Sequence, residues 1–119
     1  MSISFTPVSS GLPGGFSIAR TGKGAPAAWS AIADAGVAGG YVLAQTSTDQ
    51  TDYRFPLAIY DPLTAVNLGA SVRFKAVAGH VDRAGGLAIR LADADNYYVV
   101  RANALEDNVN FYRVVQGAR

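Results

Sequence analysis

The chain contains no cysteine, one histidine and one glutamate among 119 residues. Without cysteine there are no disulfides, no thiolate nucleophiles and no zinc–thiolate centres. His80 alone cannot build a multi-histidine metal site, so no cofactor or metal is expected. Charge of one sign is also scarce: ten basic residues against nine acidic leave a net +1. No basic field therefore points to nucleic acid or to an anionic membrane. Long apolar runs are missing too. The best, Ala35 to Ala44, is broken by Gly36, Gly39 and Gly40 and is about half of the roughly 20 residues a membrane helix needs. No secretory signal is read in Met1 to Thr6, where a positive region followed by an apolar stretch is lacking. The absence of cysteine suits either redox compartment, so the composition leaves the localisation open.

What is present is glycine, alanine and a two-residue rhythm. Half of the residues are apolar, but 21 of them are alanine, so large core side chains are scarcer than that fraction suggests. Gly11, Gly14, Gly15, Gly22 and Gly24, with Pro13 and Pro26, break the first third into short pieces and argue against long helices. With no repeat, linker or charge block, residues 1–119 read as one domain, a length suited to one core and not two.

The second half alternates apolar and polar residues, the pattern of strands with one face in a core. Strands are expected over Ser71–Val77, Gly86–Ala92, Asn96–Asn103 and Asn110–Val115, and earlier over Phe16–Arg20, Ala28–Ala33, Tyr41–Thr46 and Phe55–Tyr60. Turn formers separate them, notably at Asp61-Pro62, Gly79–Asp82, Asp93–Asn96 and Glu106–Asn108. A helix over Arg83–Asp95 competes, because alanine and leucine favour it. The adjacent Gly85 and Gly86 and the alternation after them decide for strand. Short strands about a dozen residues apart give an all-β, antiparallel sandwich or barrel.

Motifs for chemistry are thin. Glycoside hydrolysis needs two carboxylates, about 5 Å apart in retaining enzymes and wider in inverting ones. Glu106 beside Asp107 lies in a turn, where such residues usually meet solvent. Asp93, Asp95 and Asn96 offer oxygens that would suit calcium, yet the twelve-residue calcium loop is absent and a local turn explains them better. Ser2, Ser4, Ser9, Ser10, Ser17, Ser30, Ser47 and Ser71 lack the glycine-flanked elbow of a nucleophile. Gly14-Gly15 and Gly39-Gly40 lack the sequel of a phosphate-binding loop. No catalytic residue is assigned, and the chain reads as a non-enzyme.

A polar-aromatic row remains. If neighbouring strands pair, Arg90, Tyr97, Arg101, Asn103 and Arg113 are candidates to share one face, with Trp29 and Tyr98 left to packing. Sugars are held by an aromatic ring against C–H faces and by planar groups on hydroxyls, and the row has both. Arginines alternating with apolar residues are also what any solvent-facing strand carries.

The stretches Asp82–Arg90, Asp93–Asn103, Glu106–Val109 and Phe111–Val114, with Gly22–Trp29, Val42–Ser47 and Arg54–Pro56 upstream, resemble a bacterial module. It is the concanavalin-like, laminin-G-like jelly roll of glycoside-hydrolase-like or 3-keto-disaccharide-hydrolase-like type. The resemblance implies a carbohydrate-associated jelly-roll sandwich with a glycan as ligand, in a family whose members are often secreted; the poor acid inventory makes it non-catalytic and disfavours the further reading, a glycoside-hydrolase-like enzyme. Such modules carry an aromatic at the position of Ile89, often another at Leu91, and continue for several strands beyond the one that ends near Arg119. A sheet lacking partner strands exposes an apolar face and an unpaired edge. Two outcomes follow: two chains pair as a homodimer to finish the core, giving a structural or self-assembly module, or a small sandwich closes on itself.

Overall fold

The computed structural model describes residues 1–6 and 12–119; Ser9, Ser10 and Gly11 lie outside the described residues. Seven strands form: β1 Phe16–Gly22, β2 Trp29–Ala33, β3 Tyr41–Gln45, β4 Arg54–Tyr60, β5 Ala84–Asp93, β6 Asn96–Asn103 and β7 Asn108–Val114. All pairings are antiparallel, and no helix forms among the described residues. The chain is all-β, as its period-two alternation requires.

β1 pairs with β4, and the β2–β3 hairpin lies between them in sequence as a second two-stranded sheet. The hairpin turn is closed by Asp34, whose Oδ1 accepts the Gly36 N–H at 2.8 Å and whose own N–H reaches the Gly40 carbonyl at 2.8 Å. Loops flanking β2–β3 are tied by a polar knot around Asp49 and Arg54. Asp49 accepts the Ala25 N–H (2.6 Å) and both the N–H (2.9 Å) and hydroxyl (2.6 Å) of Thr51. Arg54 donates to the carbonyls of Ala25 and Pro26, each at 2.9 Å.

These bonds hold the Asp49 carboxyl below its ordinary 3.8, at about 2, the Thr51 hydroxyl contributing most and the Ala25 N–H next. A carboxylate depressed in the fold stabilises above its ordinary value, and that contribution is lost as pH falls through the folded one. Asp49→Asn is therefore expected to lower the melting midpoint at neutral pH. It also flattens the midpoint's decline between about pH 4 and pH 2, as read by circular-dichroism melts across that range.

The larger sheet runs β5–β6–β7. The β5–β6 turn is built by Asp93, whose carboxylate accepts the Asp95 N–H at 2.8 Å and the Asn96 amide at 2.9 Å, the local role expected of this cluster. Register is regular except for a bulge between Ile89 and Asp93, where Arg90 takes a positive φ of 50°. β1 meets this sheet through Thr21, which is buried and whose hydroxyl bonds the Tyr97 hydroxyl at 2.8 Å and donates to the Ala94 carbonyl.

One expected strand is corrected. Ser71–Val77 alternates but pairs with nothing; the whole stretch from 63 to 83 lies outside the strands. It crosses the larger sheet instead, with the Phe74 ring seated over Gly85, where a Cβ would approach the ring to 2.6 Å. Alternation reports which side chains share a side of an extended chain. It does not supply a partner for the backbone.

Candidate functional site

Cross-strand partners share a face, so the register sorts the larger sheet into two sides. One side carries Tyr97, Val99, Arg101 and Asn103 of β6 beside Tyr112 and Val114 of β7. Here lie the sheet's buried residues: Tyr97, Val114 and Asn103, which are 5 %, 3 % and 2 % exposed. The other side is a three-by-three grid. Its rows are Gly85–Ala102–Val109, Leu87–Val100–Phe111 and Ile89–Tyr98–Arg113.

The five residues of the polar-aromatic row do not converge. Tyr97, Arg101 and Asn103 share the covered side. Tyr97 is spent on Thr21, and Asn103 on three bonds: its amide donates to Asp82 at 2.7 Å, and its carbonyl accepts the N–H of Leu105 at 3.0 Å and of Arg83 at 3.3 Å. Arg101 faces Asp82 at 3.6 Å and Glu106 at 4.0 Å, with its guanidinium 5.5 Å from the Tyr112 ring centre. Arg113 stands on the opposite side, at a corner of the grid. Arg90 belongs to the bulge and donates to the Val66 carbonyl at 3.3 Å. Odd spacing along β6 groups its residues correctly, but β7 enters with Tyr112 opposite Val99, which turns Arg113 away. Glu106 accepts a bond from the Asn108 amide at 3.2 Å.

The feature that residue-by-residue inspection missed is the grid. Eight of its nine positions are apolar or glycine, yet it faces outward: Val109 is 69 % exposed and Phe111 62 %. Val100 and Ile89 are exposed as well. Phe111 stacks on Tyr98 with ring centres 5.7 Å apart and an 11° interplanar angle, giving a flat apolar platform. Phe74 and Val72 cover only the Gly85–Ala102 end, leaving shallow hollows of about 330 and 250 Å³ on either side of the Phe74 ring. The sequence signal was there in Leu87, Val100 and Phe111, each on the apolar side of its strand; which side faces inward was not.

The chain exposes 7948 Å², above the about 6,100 Å² of a compact folded monomer of 12.4 kDa, and nearly all of the residues from 61 to 80 contribute to that excess. Comparison with known protein families, with curated proteins and with solved structures finds no match to this chain.

Proposed function

We propose that the chain is a non-catalytic assembly module whose outward apolar grid is covered by a second copy of itself. The observation that carries this is the outward row Leu87–Val100–Phe111, in which Val100 and Phe111 are exposed, with its exposed neighbour Val109. Contiguous apolar patches of this kind mark interaction surfaces on soluble proteins. A net charge of +1 sets up little repulsion between copies and no field for an oppositely charged partner. A two-fold pairing brings the same patch from both chains together, and the grid's single charge, Arg113, sits at its corner, where interfaces keep a polar rim.

The resemblance to concanavalin-like jelly rolls supports a sheet that needs a further layer. It also brings the competing occupant, a glycan, whose expected row is not presented on one open face. Light scattering decides between them. The wild-type protein at low micromolar concentration is expected at twice 12.4 kDa, and Phe111→Glu at the monomer mass with its β spectrum kept. A wild type that stays monomeric at every concentration overturns the proposal. So does a wild-type monomer whose glycan-array signal is lost in Phe111→Glu, which would give the grid to a sugar.

A further inference from the structure

On the covered side of the larger sheet, three aromatic rings surround one cation. The guanidinium carbon of Arg119 lies 4.3 Å from the ring centre of Phe55, 4.5 Å from that of Tyr112 and 5.9 Å from that of Tyr53. No carboxylate pairs with Arg119 among the described residues. Its charge meets ring faces alone, and two of those rings, Tyr53 and Phe55, are themselves packed edge to face at 5.4 Å.

The surroundings are built to make this arrangement. Gln116 and Gly117 both take positive φ, 50° and 79°, in a two-residue turn closed by Val115 N–H to Ala118 carbonyl at 2.9 Å and Ala118 N–H to Val115 carbonyl at 3.0 Å. The turn is pinned to the β5–β6 corner by Gly117 N–H to the Asp95 carbonyl (2.9 Å) and Gln116 N–H to the Asn96 side chain (3.1 Å). It folds residue 119 back onto Tyr112. On the other wall Tyr53 has a φ of 59°, a conformation that bulky residues rarely adopt, held by the Lys23 N–H on its carbonyl at 2.8 Å and its own N–H on Asp52 at 2.8 Å.

We propose that Tyr53, Phe55 and Tyr112 form an aromatic cage for a weakly hydrated organic cation, a quaternary ammonium or a guanidinium, and that Arg119 is its built-in occupant. Ring faces attract cations through their quadrupole, and a cage without a carboxylate favours large, poorly hydrated cations over ammonium. An external ligand must displace Arg119, so the chain's own arginine sets the threshold for binding. The proposal is independent of the assembly reading, because the cage and the grid lie on opposite sides of the sheet.

The test is a proton NMR titration with tetramethylammonium chloride and, separately, methylguanidinium chloride, following the rings of Tyr53, Phe55 and Tyr112, with ammonium chloride as control. Arg119→Ala is expected to bind at least one of the two organic cations about tenfold more tightly than the wild type, and the further change Tyr112→Ala to remove that gain. The tighter probe identifies the ligand as an onium headgroup or an arginine side chain. Ring shifts in Arg119→Ala no larger than with ammonium, or affinities equal to the wild type's, overturn the proposal. Should that variant fail to fold, the wild type still decides: its Arg119 side-chain methylene protons, shifted upfield by the rings, return to free values under excess tetramethylammonium or, if they stay in place, contradict the cage.

Discussion

Gly86→Ala is expected to cost on the order of 3 kcal/mol and to leave much of the protein unfolded at 37 °C. A Cβ at this position would stand 1.9 Å from the Val100 carbonyl oxygen and 3.0 Å from the Arg101 Cα. Both are backbone atoms of the neighbouring strand, so no side chain can swing aside and β5 must separate from β6. The pair is one of the two that build the largest sheet, and a loss of this size is a large part of the 5–15 kcal/mol that holds a domain together. Two control substitutions make the prediction specific. Gly85→Ala also overlaps a neighbour, but that neighbour is the half-exposed Phe74 ring, which can move. Gly14→Ala meets nothing within 4 Å and should stay within about 0.5 kcal/mol of the wild type. Urea unfolding of the three variants gives the ranking.

Asn103→Ala should follow closely, with a loss of about 3 kcal/mol and a melting midpoint lower by about 10 °C. Its side chain is almost entirely buried and serves three partners, so truncation strands the N–H groups of Arg83 and Leu105 and leaves Asp82 without its amide. Unmet buried donors cost more than the bonds they made contributed. Asn103→Asp separates these effects. It keeps the acceptor for the two N–H groups but sets a carboxylate against Asp82, 2.7 Å away in the native pair. That variant is expected to be least stable at neutral pH and to recover as the pH drops into the carboxylate range, where one of the two acids takes a proton. Melts at pH 7 and pH 4 test this; a recovery absent at the lower pH would mean that Asn103 acts through shape and not through its amide.

Strand identity was legible because it depends on local patterning. β6 runs from Asn96 to Asn103 in both the alternation and the fold, bounded by the Asp93 turn on one side and by the Asn103 hydrogen bonds on the other. β5 forms where helix propensity competed, since Gly85 and Gly86 weaken a helix while Gly86 fits the close approach to Val100. Ser71–Val77 shows where local patterning stops short. Its rhythm is as regular as that of β6, but a strand also needs a partner edge, and that information lies elsewhere in the chain. The polar-aromatic row is divided for a related reason. Alternation assigns Tyr97, Arg101 and Asn103 to one face, but polar residues can line a covered face when each finds a partner, as Tyr97 does in Thr21 and Asn103 in Asp82. The apolar face was left outside, and nothing local in Val100 or Phe111 says so. The cage was hidden for a third reason: it joins Tyr53 and Phe55 to Tyr112, which lies far along the chain and meets them only through the fold.

Fluorine NMR of protein labelled with 4-fluorophenylalanine addresses the outward grid directly, because Phe111 is its centre and one of only five phenylalanines. The resonance of Phe111, assigned by its loss in Phe111→Leu, should show no solvent isotope shift in concentrated solution and gain one on dilution, as the two copies part. A Phe111 resonance with a full solvent isotope shift at every concentration would show that no second copy covers the grid.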